Sequence, residues 1–280
     1  MSTDRVELET AHYERVADGV VVLTMNRPDH ANGVVPELAR DMLQALTDLE
    51  RDRTIRVVVL TGAGRQFSAG ADLVGMKRHL EERLQVENEP YNARSIFPVT
   101  LKLATCRMPI IAAVNGGATA GGFDLALACD IRIASSRAKF GETYVKIGMV
   151  PGNGGTYFLP RLIGPGLAAE MAFTGDLVDA AQAKEMGLVN RVVEPDELIP
   201  ASVALASNIA AKPWRALEAT KQALRQSWHM DLPTTFNTSF WAVTALTYTA
   251  DVREGVDAFL EKRQPEFGRN EPERLHGDVW

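Results

Sequence analysis

Residues 109–130 read PIIAAVNGGATAGGFDLALACD, an apolar strand that ends in a glycine-rich turn and is followed by an apolar helix. Residues 56–73, RVVVLTGAGRQFSAGADL, have the same order of features. The first strand residues of the two stretches, Arg56 and Ile110, are 54 positions apart. A strand, turn and helix that recur in this way predict a layered α/β fold built from a repeated unit.

The flanking sequence extends this pattern and then changes. Residues 6–25 predict a hairpin that turns at Asp18-Gly19, and residues 35–52 have apolar positions at helical spacing with Pro36 at the start. From about residue 196 onward, alanine-rich helical runs follow one another with almost no strand signal. We therefore predict a core over residues 1–195, a helical region over 196–267 and a fraying tail over 268–280.

Composition and charge narrow the class of protein. The chain has 280 residues, 46% of them hydrophobic and 24% charged, which is enough for one sizeable core. Its net charge of −6 gives no general attraction to nucleic acid or anionic membranes, so neither is an expected partner. No window approaches the ~18 apolar residues of a membrane span, and MSTDRVELET does not resemble a signal peptide. We expect a cytoplasmic protein.

The two cysteines and the common catalytic motifs also limit the chemistry. Cys106 and Cys129 stand apart in apolar surroundings, which predicts buried thiols and no metal site. The sequence has no third glycine for a GxGxxG motif after residue 62, no GK[ST], no GxSxG and no HExxH. The sequence therefore disfavours a nucleotide-binding protein, a hydrolase with a catalytic triad and a zinc peptidase.

The two glycine-rich turns offer a different chemistry. Such turns leave backbone N–H groups unpaired, and two N–H groups that converge on one point can stabilise charge on a carbonyl oxygen. Each donor of this kind contributes about 3 to 4 kcal/mol to the transition state. The alternative is that the glycines only shape the turns.

The same stretches carry a family resemblance. Together with residues 138–164, AKFGETYVKIGMVPGNGGTYFLPRLIG, residues 180–193, AAQAKEMGLVNRVV, and residues 251–267, DVREGVDAFLEKRQPEF, they resemble the crotonase family, the enoyl-CoA hydratase/isomerase group. The resemblance runs from about residue 15 to 267. It implies a spiral of ββα units and a C-terminal α-helical trimerisation region, which builds a homotrimer or a dimer of trimers.

The resemblance also implies a substrate and an oxyanion site. The substrate would be an acyl-CoA thioester, whose enolate is held by two backbone N–H groups. Matched motif by motif, these donors would belong to Ala71 and Gly121. No cofactor is implied beyond coenzyme A as part of the substrate, and no metal.

The acidic residues that decide between hydration and isomerisation in this family depart here from the hydratase pattern. Asp124 stands where the first hydratase glutamate falls and would transfer protons, although a helix-capping role is the alternative. Tyr144 stands at the second glutamate, and a phenol is a poor base at neutral pH. Glu142 could substitute for it if this segment is extended. Isomerase members often place an acid in the next loop, where this chain has only Asn153.

Cations and the acyl pocket complete the predicted site. The positions that match the coenzyme A site of relatives, and would bind it here, are Arg27, Arg65, Ala69, Asp72, Phe259 and Lys262. Val74 occupies the place of a lysine that relatives often have after the AGAD motif. Residues 76–100 are the least family-like part and would shape the acyl pocket, with Phe97 as a contact to the acyl chain.

Three functions remain open at this point. The leading hypothesis is an enoyl-CoA hydratase/isomerase in fatty-acid or related acyl-CoA metabolism. The alternatives are double-bond isomerisation, or other enolate chemistry, without hydration, and a catalytically silent trimer that binds coenzyme A.

Overall fold

The computed structural model describes residues 5–83 and 96–268. These residues form two compact units, which divide between Ser207 and Asn208. Residues 84–95, which belong to the segment predicted to shape the acyl pocket, lie outside the described residues, and so does the predicted tail from residue 269 onward. The domain limits and roles predicted from the sequence stay predictions.

Ten strands occur among the described residues. In chain order they are β1 Arg5–Glu7, β2 Ala11–Ala17, β3 Val20–Met25, β4 Val57–Gly62, β5 Ile110–Val114, β6 Gly117–Thr119, β7 Ile131–Ser135, β8 Lys139–Gly141, β9 Val178–Asp179 and β10 Arg191–Val193. Seven of them form one sheet in the order β1-β2-β3-β4-β5-β7-β10, and β6, β8 and β9 form a small second sheet. The pairs from β3 to β10 are parallel, whereas β1, β2 and β3 pair antiparallel.

The helices follow the strands in the manner of crossover connections. Those that begin in the first unit are α1 Pro36–Arg51, α2 Leu73–Arg83, α3 Phe97–Thr105, α4 Gly121–Ala128, α5 Gly155–Ile163, α6 Pro165–Thr174, α7 Ala180–Glu185 and α8 Leu198–Ala210. The second unit contains α9 Trp214–Gln226, α10 Leu232–Thr247 and α11 Ala250–Leu260. The predicted α/β class is confirmed.

The core of the first unit lies between the large sheet and its helices. Every residue of β3, β4 and β5 is buried, as their continuous apolar sequences require for central parallel strands. Helix α4 is buried along its whole length and packs against α3 and α5. Because the whole of α4 is buried, its one charged residue, Asp124, lies in the protein interior.

The local predictions from sequence are confirmed at several points. The hairpin of β2 and β3 turns at Asp18-Gly19, where Gly19 has φ 68°. Helix α1 begins at Pro36, and each of the two glycine-rich turns leads into a helix, α2 and α4. Both cysteines are buried.

The second unit has a different character. No residue of α10 is buried within the described chain, and large apolar side chains on this helix are exposed. None of the helices in the described part of the chain has both the length and the apolar character that crossing a membrane requires.

Candidate active site

A cavity of about 350 Å³ lies in the first unit, where the two glycine-rich turns meet. The turn before α2 contributes Ala71, and the turn before α4 contributes Gly121. Tyr144 and Asn153 line the same cavity, and Ile96 and Met149 add apolar surface. Elements far apart in sequence therefore converge on one space that is both apolar and able to form hydrogen bonds.

The two turns are held in direct contact. Val34 bridges to Ala71, and Ser68 bridges to Ala118. A β-carbon built on Gly70 would lie 3.0 Å from the backbone nitrogen of Gly121. Within the described residues, neither the N–H of Ala71 nor that of Gly121 donates a hydrogen bond to the protein. Both residues line the cavity, so the site has two unused backbone donors on adjoining turns.

The residue before Gly121 has an unusual backbone conformation. Ala120 has φ 46° and ψ −124°, a region that residues with a β-carbon rarely occupy. Its own N–H donates to the carbonyl of Gly141 at 3.0 Å, which ties the turn to β8. The turn before α4 is thus kept in a strained form at the point where it enters the cavity.

Asp124 lies behind the cavity wall. Its side chain is fully buried, and its Oδ2 accepts a hydrogen bond of 2.5 Å from the hydroxyl of Tyr144. Helix α4 has no side-chain cap at its N-terminus, so the capping interpretation of Asp124 finds no support in this contact. Burial raises the pKa of Asp124 to about 7, although the hydrogen bond from Tyr144 acts in the opposite direction.

Tyr144 is the polar group that connects Asp124 to the cavity. It belongs to a short 3₁₀ helix, Thr143–Ile147, and its hydroxyl oxygen accepts a hydrogen bond of 3.0 Å from Nδ2 of Asn153. That oxygen lies 3.5 Å from a β-carbon built on Gly121, which places it close to one of the unused donors. Burial and the neighbouring Asp124 raise the pKa of Tyr144 well above its usual value, so the phenol stays neutral.

Glu142 is a second buried acid at this point. It precedes the 3₁₀ helix with φ −86° and ψ 71°, and in this non-helical conformation its side chain lies beside Asp124 but does not line the cavity. Among the described residues, Asp124 Oδ1 and both carboxyl oxygens of Glu142 have no hydrogen-bond partner. Burial, and then the charge of Asp124, raise the pKa of Glu142 to about 9.

A glycine makes room for both acids. A β-carbon built on Gly155, the first residue of α5, would lie 2.6 Å from Asp124 Oδ1 and would overlap Oε1 of Glu142. The two carboxyl groups are therefore side by side against the same backbone position, within a few ångströms of each other.

The residues predicted to bind coenzyme A have varied surroundings. Arg27 donates to the carbonyl of Gly33 at 2.5 Å and pairs with Asp72 at 3.4 Å. Backbone N–H groups, first that of Gly75, hold the pKa of Asp72 below its usual value. Ala69 and Asp72 line the cavity, and Arg65 is exposed.

The remaining predicted contacts lie elsewhere. Phe259 and Lys262 are exposed residues of the second unit, at the end of α11 and just after it. Val74 is exposed and lines the cavity. Phe97, at the start of α3, does not line the cavity as described, and its neighbour Ile96 does.

Asn153 was noted from the sequence only as a position without an acid, and Gly155 was not singled out. Asn153 turns out to donate to Tyr144, and Gly155 lies against both carboxyl groups. The sequence PGNGGT could have indicated the importance of both residues. A loop with three glycines at the start of a helix lets side chains from other elements approach the backbone closely.

Comparisons with known proteins agree with this geometry. The family model described as enoyl-CoA hydratase/isomerase matches residues 15–270. The crotonyl-CoA hydratase of Syntrophomonas wolfei is 36% identical over 89% of this chain and 94% of its own. The 1,2-epoxyphenylacetyl-CoA isomerase of Escherichia coli is also 36% identical, over 94% of this chain and 98% of its own. The crystal structure of an enoyl-CoA hydratase from Bacillus anthracis has a TM-score of 0.84 and 35% identity, and the match covers 92% of this chain and 98% of that one.

Proposed function

The chain belongs to the enoyl-CoA hydratase/isomerase family, and we propose that it transfers a proton along the acyl chain of an enoyl-CoA thioester and so moves its double bond. One observation carries this proposal. Tyr144 lines the cavity, and its hydroxyl lies beside Gly121 and is hydrogen-bonded to the buried carboxyl group of Asp124. A base that reaches the substrate through a neutral phenol suits proton transfer on carbon.

The charge that forms on the thioester oxygen would be held by the backbone. Ala71 and Gly121, whose N–H groups are unused, line the cavity on adjoining turns, and two such donors would hold an enolate oxygen if they converge on it. Each such donor stabilises the transition state by about 3 to 4 kcal/mol. Because these donors are fixed by the fold, they need no reorganisation when the charge develops.

The proton step can be written in full for a 3-enoyl-CoA. The C–H bond at the α-carbon breaks, and its electron pair is delocalised over the thioester oxygen and the γ-carbon. The proton passes to the oxygen of Tyr144, while the phenol's own proton passes to Asp124 Oδ2. The return of a proton by the same route to the γ-carbon gives the conjugated 2-enoyl-CoA. Asp124 begins and ends the cycle as a carboxylate.

Migration of the double bond fits these residues better than hydration does. Hydration requires a group that orients and deprotonates water and a group that protonates the α-carbon. Asp72 also lines the cavity, but its carboxylate accepts from Arg27 and from the N–H groups of Val74 and Gly75, and its lowered pKa makes it a weak base. Glu142 does not line the cavity. Tyr144 with Asp124 therefore forms the single relay on which the proposal rests.

An absorbance assay with two substrates tests the proposal. The conjugated thioester absorbance should rise when the purified protein is given a 3-enoyl-CoA. Loss of that absorbance with a 2-enoyl-CoA, at a comparable rate, would identify a hydratase instead, as similarity to the crotonyl-CoA hydratase favours. No change with either substrate would contradict both functions and favour another enolate reaction or a silent binder.

Binding of coenzyme A would rely on a few local cations, since the chain has a net charge of −6. Arg65 is exposed, and Arg27 lies against Asp72 at the cavity, so both remain candidates. Phe259 and Lys262 are exposed and would act on the adenine end. Replacement of Arg65 by alanine should weaken the binding of coenzyme A in calorimetry, and unchanged binding would remove Arg65 from the site.

We also propose that the protein is a homotrimer or a dimer of trimers. Phe236, Phe240, Trp241 and Val243 of α10 are each more than 60% exposed, and large apolar side chains clustered on one exposed helix are typical of an interface between protein chains. Sedimentation velocity should give a mass several times 30.6 kDa. Trp241→Asp should reduce that mass, whereas Ala181→Asp, which adds the same charge at an exposed position of α7 in the first unit, should not. A monomeric wild type would contradict the proposal.

A further inference from the structure

The buried acid Glu142 has no part in the proton path described above. It is fully buried, does not line the cavity and lies beside Asp124, with Gly155 against both carboxyl groups. An ionised carboxylate in such a place, with no hydrogen-bond partner among the described residues, would be strongly unfavourable. Glu142 is therefore either protonated or ionised with its charge stabilised by a neighbouring group.

The hydrogen bonds decide where the negative charge of the pair lies. Tyr144 has one hydroxyl proton, and it is donated to Asp124 Oδ2 at 2.5 Å, the length expected for an O–H group bound to a carboxylate. Two carboxyl groups side by side do not both ionise readily, because like charges in a dry site repel. With Asp124 as the acceptor of the phenol, the proton of the pair falls to Glu142.

We propose that Glu142 is a positioning residue that keeps its proton at neutral pH and donates it to Oδ1 of Asp124. This inference rests on the proposed function, because it assigns Glu142 a role toward the same base. Asp124 would then be held from both sides, by Tyr144 at Oδ2 and by Glu142 at Oδ1. A single negative charge is thereby kept on the carboxylate that faces the phenol.

The surroundings of the pair agree with one charge and not with two. Helix α4 contributes Asp124, and the 3₁₀ helix contributes the neutral phenol of Tyr144. The loop before α5 contributes the uncharged Asn153, and α5 begins at Gly155, which lies against both acids. The backbone N–H groups of these two residues act on Asp124 and lower its pKa, which favours the charge on Asp124. A helix N-terminus favours a negative charge nearby, but it is worth only a fraction of a unit charge.

Infrared spectroscopy of the substrate-free protein tests this assignment without any turnover. At pH 7 the wild type should have a C=O band of a protonated carboxylic acid, and this band should move when glutamate is ¹³C-labelled. The band that moves with the glutamate label should be missing in Glu142→Gln and retained in Glu185→Gln, a matched change at an exposed position. Absence of the band from the wild type would overturn the inference, even if the enzyme proved active.

The dependence of the rate on pH gives a second readout. Glu142→Gln keeps a hydrogen-bond donor for Asp124, so the acidic limb of its pH–rate profile should stay where it is in the wild type. The basic limb, which in the wild type reflects loss of the Glu142 proton, should disappear. Glu142→Leu removes the donor, so its acidic limb should move to higher pH by about one unit or more. A purely structural role for Glu142 would leave both limbs where they are in the wild type, and this result would also overturn the inference.

A third variant covers the case in which changes at Glu142 prevent folding. In Asp124→Asn burial still raises the pKa of Glu142, but the contribution from the charge of Asp124 is gone, so the infrared band of the protonated acid should disappear at a lower pH than in the wild type. An unchanged titration of that band would contradict the pairing of the two acids. A positive infrared result with no turnover of any enoyl-CoA would refute the proposed function alone.

Discussion

The hydroxyl of Tyr144 lies 2.5 Å from Oδ2 of Asp124, and this contact joins a fully buried carboxylate to the cavity. Asp124 is not among the residues that line the cavity, so in the proposed reaction a proton from the substrate would reach it through the phenol. Asn153 fixes the phenol by donating to its oxygen. Where the hydratases that this chain resembles have a second glutamate, this chain has Tyr144, which we propose acts as a bridge to Asp124 and not as a second base.

Asp124→Asn removes the carboxylate that accepts the proton. The rate on 3-enoyl-CoA should fall by roughly 10² to 10⁴, the usual contribution of a general base, while coenzyme A still binds. Steady-state kinetics and calorimetry measure the two effects. Asp196→Asn, at an exposed position, is the matched control and should keep its rate. Turnover at the wild-type rate in Asp124→Asn would remove this residue from the mechanism.

Tyr144→Phe removes the bridge but preserves the ring. Asp124 would then be intact but cut off from the substrate, so we expect a loss in kcat of about 10² or more with little change in KM. Tyr13→Phe, in strand β2, is the control. If Tyr144→Phe lost no rate, Asp124 would have to reach the substrate by another route.

Gly155→Ala tests the space that the two acids share. The added methyl group would collide with Asp124 Oδ1 and with Glu142, so the free energy of unfolding should fall by about 1 to 3 kcal/mol and activity should fall with it. Gly166→Ala in α6 adds the same methyl group where nothing lies within 4 Å, and it should not destabilise the protein. Equal stability of the two variants in urea would contradict the description of this contact.

Ala120→Gly tests the strain in the turn before Gly121. Because φ 46° and ψ −124° suit glycine, the relief of strain should offset the entropy that glycine loses on folding. We expect the free energy of unfolding to stay the same or to rise by up to about 1 kcal/mol. Ala204→Gly, at an exposed position of α8, should instead lower it by about 1 kcal/mol. A comparable loss in both variants would mean that Ala120 is not strained.

The stability of the protein should depend on pH through Glu142. The folded-state pKa of about 9 lies above the ordinary value of 4.5, so the stability that the bound proton contributes is complete below about pH 4.5 and is lost as the pH rises to about 9. Glu142→Gln should not lose stability in this way, because the amide of glutamine does not titrate. Between about pH 5 and pH 9 the wild type should lose more than about 1.4 kcal/mol relative to the variant, the equivalent of one pKa unit. Parallel stability curves would contradict a raised pKa.

Much of the fold could be predicted from local sequence. The turn at Asp18-Gly19, the start of α1 at Pro36 and the two strands that end in glycine each have a short-range signal. Such signals depend on backbone preference and on the period of apolar residues, which the printed sequence contains. The order of the seven strands in the sheet depends on pairing between residues far apart in sequence, and no strand order was predicted from the sequence.

The candidate site could be predicted only in part. Ala71, Gly121 and Tyr144 were identified by motif, and all three line one cavity. The depth of Asp124 behind Tyr144 could not be predicted, because it depends on how α4 packs against α5 and not on any local pattern. The approach of Glu142 to Asp124 required a backbone conformation that is neither helix nor strand.

Uptake of deuterium from D₂O into the acyl chain of a 3-enoyl-CoA, followed by mass spectrometry, tests the central claim most directly. We predict deuterium at the α- or γ-carbon with the wild type, and uptake at least about 10² slower with Tyr144→Phe and with Asp124→Asn. Uptake by the wild type no faster than without protein, or equally fast uptake by Tyr144→Phe, would contradict a relay from Tyr144 to Asp124.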